Sequence, residues 1–379
     1  MHITYFAPDL SETSVARRVR MLLDGGASVT PIGFHRGAAP VEQVEGVAAV
    51  DLGRTEDGRL VSRSVLIARE AWRAGRWREI VRRSDAILAR NLDMCIIADA
   101  ARIWAASSVP LNYECLDIHG SLLGNGLASR VLRAQERRLL RRSRTLTVSS
   151  PGFLSNYFHH LCVNLPTVIL DENKRKTSEP RKDLSHDYRS GPPWRIGWFG
   201  NIRCVESFQI LKSAAEHLPN LVDISLRGRP TAQLQDLIDQ HLPKPNMRFG
   251  GLYHQTDLAE MYQDVHIMWA IDYSQRGANS KWLLPNRIYE AGYYNCPVIA
   301  LAGTQTSTWL EEHGTGIIMR RPPTEVETFL AGLDTSTYRR IRSSTATIPT
   351  ADVVHTNEDC RRFVAQMAER ARSCQPSDG

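Results

Sequence analysis

Large apolar residues recur along this chain in two alternating patterns. Short, nearly unbroken apolar runs at 2–6, 29–34, 86–89, 109–113 and 145–148 predict buried strands. Between them, Val15, Val19 and Leu22 fall on one face of an Arg-rich helix that ends at Gly25 and Gly26, and 92–104 and 127–144 read as further helices. Strands alternating with helices imply a mostly parallel sheet covered on both faces. The pattern stops at 171–193, a polar, proline-bearing stretch almost free of large apolar groups, which predicts an interdomain linker. It then restarts, with strands at 194–199, 221–226, 247–249 and 265–271 and helices at 207–217, near 231–241 and near 256–263. Two similarly wound halves result, over 1–170 and 194–350. The remainder, 351–379, holds a helical stretch at 358–372 with no strand after it, and a tail expected to fray.

The composition fits that division. A chain of 379 residues with 42% hydrophobic and 23% charged residues has the make-up of a globular protein of two ordinary domains. No apolar run approaches the roughly 20 residues of a membrane span, and Met1-His2-Ile3-Thr4-Tyr5-Phe6 reads as a first strand rather than a secretory leader. Seven scattered cysteines without CxxC spacing argue for reduced thiols in the cytoplasm and against zinc or a disulfide frame. Charge changes the picture more. Residues 1–150 hold 22 Arg, no Lys and 16 Asp plus Glu, a net of +6, whereas 151–379 balance at 25 basic and 25 acidic. The first half is therefore expected to meet an anionic partner.

Four constellations carry candidate chemistry. In 279–303 a short helix bearing Asn286, Arg287 and Glu290 follows a polar loop with Lys281, breaks at Asn295-Cys296-Pro297 and leads into the apolar run 297–301. A cation and a carboxylate delivered just before a parallel strand suit a site at the strand ends; the plain alternative is a surface ion pair. Gly200-Asn201-Ile202-Arg203 follows a strand and precedes a helix, where a glycine admits a phosphate to the backbone and Arg203 favours its charge, or where the chain simply turns. In Tyr113-Glu114-Cys115-Leu116-Asp117-Ile118-His119-Gly120, Asp117 and His119 alternate with apolar residues at a strand end, and Asp117 or Glu114 could equally cap the turn. Finally, Arg130, Arg133, Arg137, Arg141 and Arg144 recur every three or four residues, with Val131, Leu132 and Leu139 turned toward the core. This stripe is either a solvated face or, beside Trp72 and Trp77, a surface for an anionic leaflet. No nucleic-acid-binding signature accompanies it.

These motifs resemble those of GT-B retaining glycosyltransferases of the family 4 type, closest in character to bacterial succinoglycan and exopolysaccharide hexosyltransferases. The resemblance lies in "E-A-x(n)-G/C-x-P-V-I" at Glu290–Ile299, the G-x-x-R of "F-x-G-x-x-R" at Gly200–Arg203, "Y-E-x-x-D-x-H" at Tyr113–His119, "E-x-x-L…T-V-S" from Glu136 to Ser149, and "I-x-E-N-K" near Ile169–Lys174. It runs in order over nearly the whole chain. The chain departs from the family pattern at Gln209, where many members carry a phosphate-clamping lysine, and at Trp282, where the commonest form has a second glutamate; Lys281 is the nearest candidate replacement.

The resemblance implies an α/β chain with the GT-B fold: two doubly wound Rossmann-like domains facing across a cleft, with the last helix returning toward the first. It implies transfer of a hexose, expected to be glucose, from a UDP-sugar to a hydroxyl of a lipid-linked oligosaccharide, in the cytoplasm at the inner face of the plasma membrane. Donor-binding residues would be Gly200, Asn201, Arg203, Lys281, Asn286, Arg287 and Glu290, with Glu290 on the ribose hydroxyls and the cations on the diphosphate. Asp117 and His119 would be catalytic, one as base for the acceptor and one on a sugar hydroxyl, with their roles interchangeable at this stage. Arg130, Arg133, Arg137, Arg141 and Arg144 would face the anionic membrane. No metal, cofactor or nucleic acid is expected. A non-hydrolysing UDP-sugar epimerase and a non-catalytic Arg-rich membrane adaptor on the same scaffold are the alternatives.

Overall fold

The computed structural model describes residues 1–55, 60–162, 164–177, 179, 181, 191–274 and 279–368. Much of the expected linker, at 178, 180 and 182–190, and the tail beyond 368 lie outside the described residues. The chain divides into two compact units: Met1–Asp171 with Thr356–Gly379, and Glu172–His355.

Unit 1 is built on seven parallel strands: β1 (His2–Ala7), β2 (Ser28–His35), β3 (Val50–Arg54), β4 (Ala86–Arg90), β5 (Leu111–Cys115), β6 (Thr145–Val148) and β7 (Thr167–Leu170), in the order β3-β2-β1-β4-β5-β6-β7. The central strands are buried on both faces, which is why they read as apolar runs without alternation. Edge strand β3 carries no such run, and the short run Val168-Ile169-Leu170 of edge strand β7 buries only Ile169; both strands escape the sequence reading. The helix Thr13–Asp24 turns Val15, Val19 and Leu22 inward and stops at Gly25. There the helix Asn357–Ala368 packs so closely that a methyl group on Gly25 would lie 2.5 Å from Val364 and 2.6 Å from the Cys360 carbonyl. Cys360, Phe363, Val364 and Met367 thus complete the core that Ile3, Tyr5, Val19 and Leu22 begin.

Unit 2 has six parallel strands: β8 (Trp194–Ile202), β9 (Val222–Pro230), β10 (Met247–Phe249), β11 (Ile267–Trp269), β12 (Val298–Leu301) and β13 (Ile317–Met319), in the order β10-β9-β8-β11-β12-β13. Alternate residues of β8 feed opposite faces of the sheet: Trp194, Ile196 and Trp198 join one apolar cluster, and Phe199 joins the other. Part of the expected linker folds onto this unit. Arg175–Lys176 pair in parallel with Val354–His355, and Arg181 donates to the carbonyls of Gly292, Thr345 and Ile348 at 2.5, 2.9 and 2.5 Å. The expected C-terminal segment, 351–379, is divided: Thr350–Val353 and Val354–His355 belong to unit 2, and the helix that follows belongs to unit 1.

Both sheets wind outward in two directions from a pair of central strands. In such sheets ligands bind beyond the carboxyl ends of the strands, at the point where the strand order reverses. That point lies between β1 and β4 in unit 1 and between β8 and β11 in unit 2.

Candidate active site

In unit 2 the reversal point is lined by charge. Arg203 follows β8 and Asp272 follows β11, and Arg203 Nε donates to Asp272 Oδ2 at 2.8 Å across the gap. The other carboxylate oxygen of Asp272 is held by the Ser274 amide at 2.8 Å and its hydroxyl at 2.5 Å. Burial opposes ionisation of Asp272, but Arg203 and the Ser274 bonds outweigh it and keep the carboxyl below the ordinary aspartate range. Beneath Arg203, the Cys204 sulfur caps the helix Val205–His217 by accepting from Ser207 N at 3.3 Å, and it also accepts from Tyr273 N at 3.2 Å.

The floor of this site is bare backbone. The expectation that β8 ends at Phe199 and turns through Gly200 is corrected: the strand continues to Ile202, pairing Gly200 with Gly228, Asn201 with Arg229 and Ile202 with Pro230. Ile202 is apolar and fully buried, which favours keeping the strand in register to its end. Gly200 and Gly228 have φ of 105° and 134°, conformations that favour glycine. A Cβ on Gly228 would fall 1.9 Å from the Gly200 carbonyl oxygen, so no side chain fits where the two strands approach. Asn201 is exposed at the rim.

The helix Asn286–Tyr293 supplies the next wall. Its buried face, Ile288, Tyr289, Ala291, Gly292 and Tyr293, packs into unit 2 and leaves Arg287 and Glu290 half-buried toward the strand ends, with Asn286 exposed at the helix start. Arg287 Nη1 donates to the Trp269 carbonyl at 3.3 Å, at the end of β11. Burial pulls this guanidinium below its ordinary pKa, against the charge of Asp272 and with that of Arg203. Glu290 Oε2 accepts from Tyr262 Oη at 3.1 Å, and Tyr262 is itself wedged between a stacked Tyr294 and an edge-on Phe199. Lys281 is exposed on the short helix Asn279–Trp282.

Residues that sequence reasoning missed complete the arrangement. Tyr253 Oη would lie 3.9 Å from a methyl group on Gly200, and burial and the charge of Glu290 raise its pKa, while Arg287 and Arg227 lower it. Arg227 Nη2 donates to the Leu252 carbonyl at 3.3 Å. Tyr253, Tyr262, Asp272 and Arg227 sit on different segments, and the only local trace they leave is their place just after, or at the end of, a predicted strand or helix.

In unit 1, Asp117 and His119 are exposed and Ile118 between them is fully buried, so both polar side chains stand on the solvent side beyond β5. His119 Nδ1 lies 2.9 Å from the Ser121 hydroxyl and accepts from the Ser121 amide at 3.2 Å, capping the short helix Gly120–Leu123. Glu114, one of the two possible turn caps, is instead fully buried. It accepts from Arg18 Nε at 2.5 Å, Arg90 Nε at 2.6 Å and Tyr5 Oη at 3.2 Å, filling the unit 1 reversal point, and Arg18 also pairs with Asp171. Burial opposes its charge, but the two guanidiniums hold its pKa down at about 2. Glu136 accepts from Tyr113 and Tyr157 hydroxyls at 2.7 and 2.5 Å and has a structural place.

The arginine stripe is reorganised. The helix ends at Arg142, leaving Arg144 half-buried beyond it, and Arg133 donates to the Leu122 and Gly124 carbonyls at 2.6 and 2.7 Å. Arg130, Arg137 and Arg141 are exposed. Val131, expected to face the core, is 67% exposed, as is Leu127 at 78%; Leu139 is buried and Leu132 half-buried. The core contact of this helix runs instead through Glu136, Leu139 and Leu140, which displaces Val131 outward.

No protein-family model matches the chain. The succinoglycan biosynthesis protein ExoL of Rhizobium meliloti (strain 1021) is 37% identical, the match covering 97% of this chain and 93% of that protein. Among solved structures, Anabaena Alr3699/HepE in complex with UDP and glucose is similar with a TM-score of 0.67 at 15% identity, over 97% of this chain and 98% of that one. Sucrose-phosphate synthase (tll1590) from Thermosynechococcus elongatus is similar with a TM-score of 0.70 at 12% identity, over 96% and 97%. The lipopolysaccharide outer core galactosyltransferase WaaB, in its apo form, has a TM-score of 0.58 at 10% identity, over 97% and 95%. Both sheets and their order are those of the GT-B fold.

Proposed function

This chain belongs to the family of the succinoglycan biosynthesis protein ExoL and has the GT-B fold, and from that premise we propose that it is a glycosyltransferase using a UDP-sugar donor. The observation that carries the reading is the glycine floor of β8 and β9 bordered by Arg203, Arg287 and Glu290. Bare backbone admits a diphosphate, two guanidiniums offset its charge, and a half-buried carboxylate suits a vicinal diol. Structural relatives described in complex with UDP and with UDP-glucose support the choice of nucleotide.

In this reading Glu290 accepts from the ribose hydroxyls, held in place by Tyr262, and Arg203, Arg287 and Lys281 face the diphosphate, with Asn201 and Asn286 at the rim. Cationic side chains stabilise the leaving UDP without a metal ion. The sugar is a hexose, taken as glucose and transferred with retention. The acceptor is a hydroxyl of a lipid-linked oligosaccharide. Asp117 takes the acceptor proton, and His119 binds a sugar hydroxyl. The protein works in the cytoplasm, at the anionic inner-membrane surface, toward which Arg130, Arg137 and Arg141 are directed.

Calorimetry with UDP tests the donor site. Glu290→Ala is expected to lose roughly 1.5–3 kcal/mol of binding, the worth of a hydrogen bond to a charged group. Unchanged affinity would remove Glu290 from the ribose. Thermal stabilisation by UDP-glucose, UDP-galactose, UDP-glucuronate and GDP-mannose then ranks the donors, since a ligand of the folded state raises apparent stability.

A further inference from the structure

Exposed apolar surface and net charge are both concentrated in unit 1. Among the described residues, every strongly exposed large apolar side chain except Leu252 belongs to that unit, and the +6 net charge of the chain resides in 1–150. No helix among those residues is long and apolar enough to cross a membrane.

Four of these residues, Val65, Trp72, Ile103 and Trp104, lie on two helices that meet at one turn. Trp72, 77% exposed, closes the helix Leu60–Trp72, and Val65 and Arg69, seven and three positions before it, share its outer face. The turn Ala74–Trp77 follows. Ile103 and Trp104, 54% and 57% exposed, close the helix Asn91–Trp104, whose end lies on that turn: a methyl group on Gly75 would meet the Trp104 indole at 3.4 Å. Trp77, two residues on, does the opposite. It is half-buried, with the Arg76 guanidinium 4.3 Å over its ring. One indole is used by the fold and two are left in water.

Around them stand Arg69, Arg73, Arg76, Arg78 and Arg82, all substantially exposed, and Arg82 Nε donates to the Ala105 carbonyl at 3.1 Å, next to Trp104. The nearby acids are few. Glu70 is buried and paired with Arg69 and Arg76, and Glu79 is paired with Arg78 and Arg82. Indole prefers the boundary between hydrocarbon and headgroups, and arginine reaches from there to phosphate. An anionic leaflet attracts such basic segments and loses hold of them as salt rises.

We propose that Trp72, Ile103 and Trp104, ringed by these arginines, form an insertion surface for an anionic lipid bilayer. The indoles enter to headgroup depth and the guanidiniums bind lipid phosphates. Its purpose rests on the lipid-linked acceptor of the proposed function; the surface itself does not depend on the donor chemistry.

The full chain is sedimented with phosphatidylcholine vesicles, with and without phosphatidylglycerol, at low and high salt, while UDP affinity and Tm are measured on the same preparations. The parent is expected to bind the anionic vesicles, with its tryptophan emission shifting to the blue. Trp72→Ser with Trp104→Ser should bind at least tenfold more weakly and show no shift, with Tm and UDP affinity unchanged. Arg73→Glu with Arg78→Glu should lose the salt-sensitive part of the binding. Equal vesicle binding by parent and tryptophan variant overturns the proposal. So does a parent that binds no vesicle, which would turn the patch over to a protein partner or a second copy of the chain. Loss of UDP binding with vesicle binding as expected would sink the donor reading and leave the lipid surface standing.

Discussion

At the scale of single residues, two carboxylates of similar chemistry have opposite employment. Glu290 is half-buried and keeps one oxygen on Tyr262. Tyr262→Phe removes the bond that positions this carboxylate and should therefore weaken UDP binding, by less than Glu290→Ala does, without touching the ligand. A calorimetric comparison with Glu290→Ala checks the order: the phenylalanine variant must be the milder. Glu114 is spent on the fold. Glu114→Gln leaves Arg18 and Arg90 buried without their shared counter-charge and should cost about 3–5 kcal/mol, read by denaturant unfolding. Its pH signature follows from a pKa held at about 2, below that of an unfolded glutamate. The contribution is complete above the unfolded value, about 4.3, and is lost as pH falls toward 2, so the parent should lose its advantage over the variant across that acid window. Glu114, the first of two carboxylates in the "Y-E-x-x-D-x-H" run, was visible in the sequence. Its partners were not, because Arg18 and Arg90 lie 96 and 24 residues away and meet it only through the strand order.

At the scale of elements, the approach of β8 to β9 is the feature most exposed to a single change. Gly228→Ala must displace the Gly200 backbone, since its Cβ would lie 1.9 Å from that carbonyl oxygen, and it also places alanine at a φ of 134°. We expect UDP affinity to fall by more than tenfold and Tm to drop. Gly314→Ala is the control: it has a φ of 62° and nothing within 4 Å, so it carries a backbone cost of roughly 1 kcal/mol without disturbing the floor. Retention of UDP affinity in Gly228→Ala would mean the floor is not where the diphosphate lies. A strand followed by a helix was legible here, yet the sequence put the turn at Gly200 and missed the extra ladder to Ile202, because pairing depends on a partner strand that local sequence does not contain. The same holds for the arginine helix. Its spacing of three and four was plain, but the face given to the core was decided by Tyr113 and Tyr157, which draw Glu136 inward and turn Val131 out.

At the scale of the whole molecule, the last helix belongs to the unit that the chain built first. Phe363, Val364 and Met367 are buried in the core of unit 1, and each such side chain contributes about 1.5–3 kcal/mol on burial. Ending the chain at His355 should therefore remove a large part of the 5–15 kcal/mol typical of a domain. Its expected readout is early unfolding of unit 1, followed by hydrogen exchange in β1 and Thr13–Asp24, with protection of β8 and β9 retained. Uniform loss in both units would show that they do not unfold separately.

The sequence by itself determined the α/β class, the two wound halves, the break near 171 and the candidate helix carrying Arg287 and Glu290. Each of these is a matter of local periodicity, and burial on one or both faces imprints that period on neighbouring residues. Only the tertiary structure decided which strand ends meet at the reversal points, and therefore that Asp272, 69 residues from Arg203, is its partner and that Tyr253 stands over Gly200. It also decided that Trp77 is covered while Trp72 and Trp104 are not, and that the final helix closes on Gly25. Such outcomes depend on contacts between distant segments, whose energies no window of neighbouring residues contains.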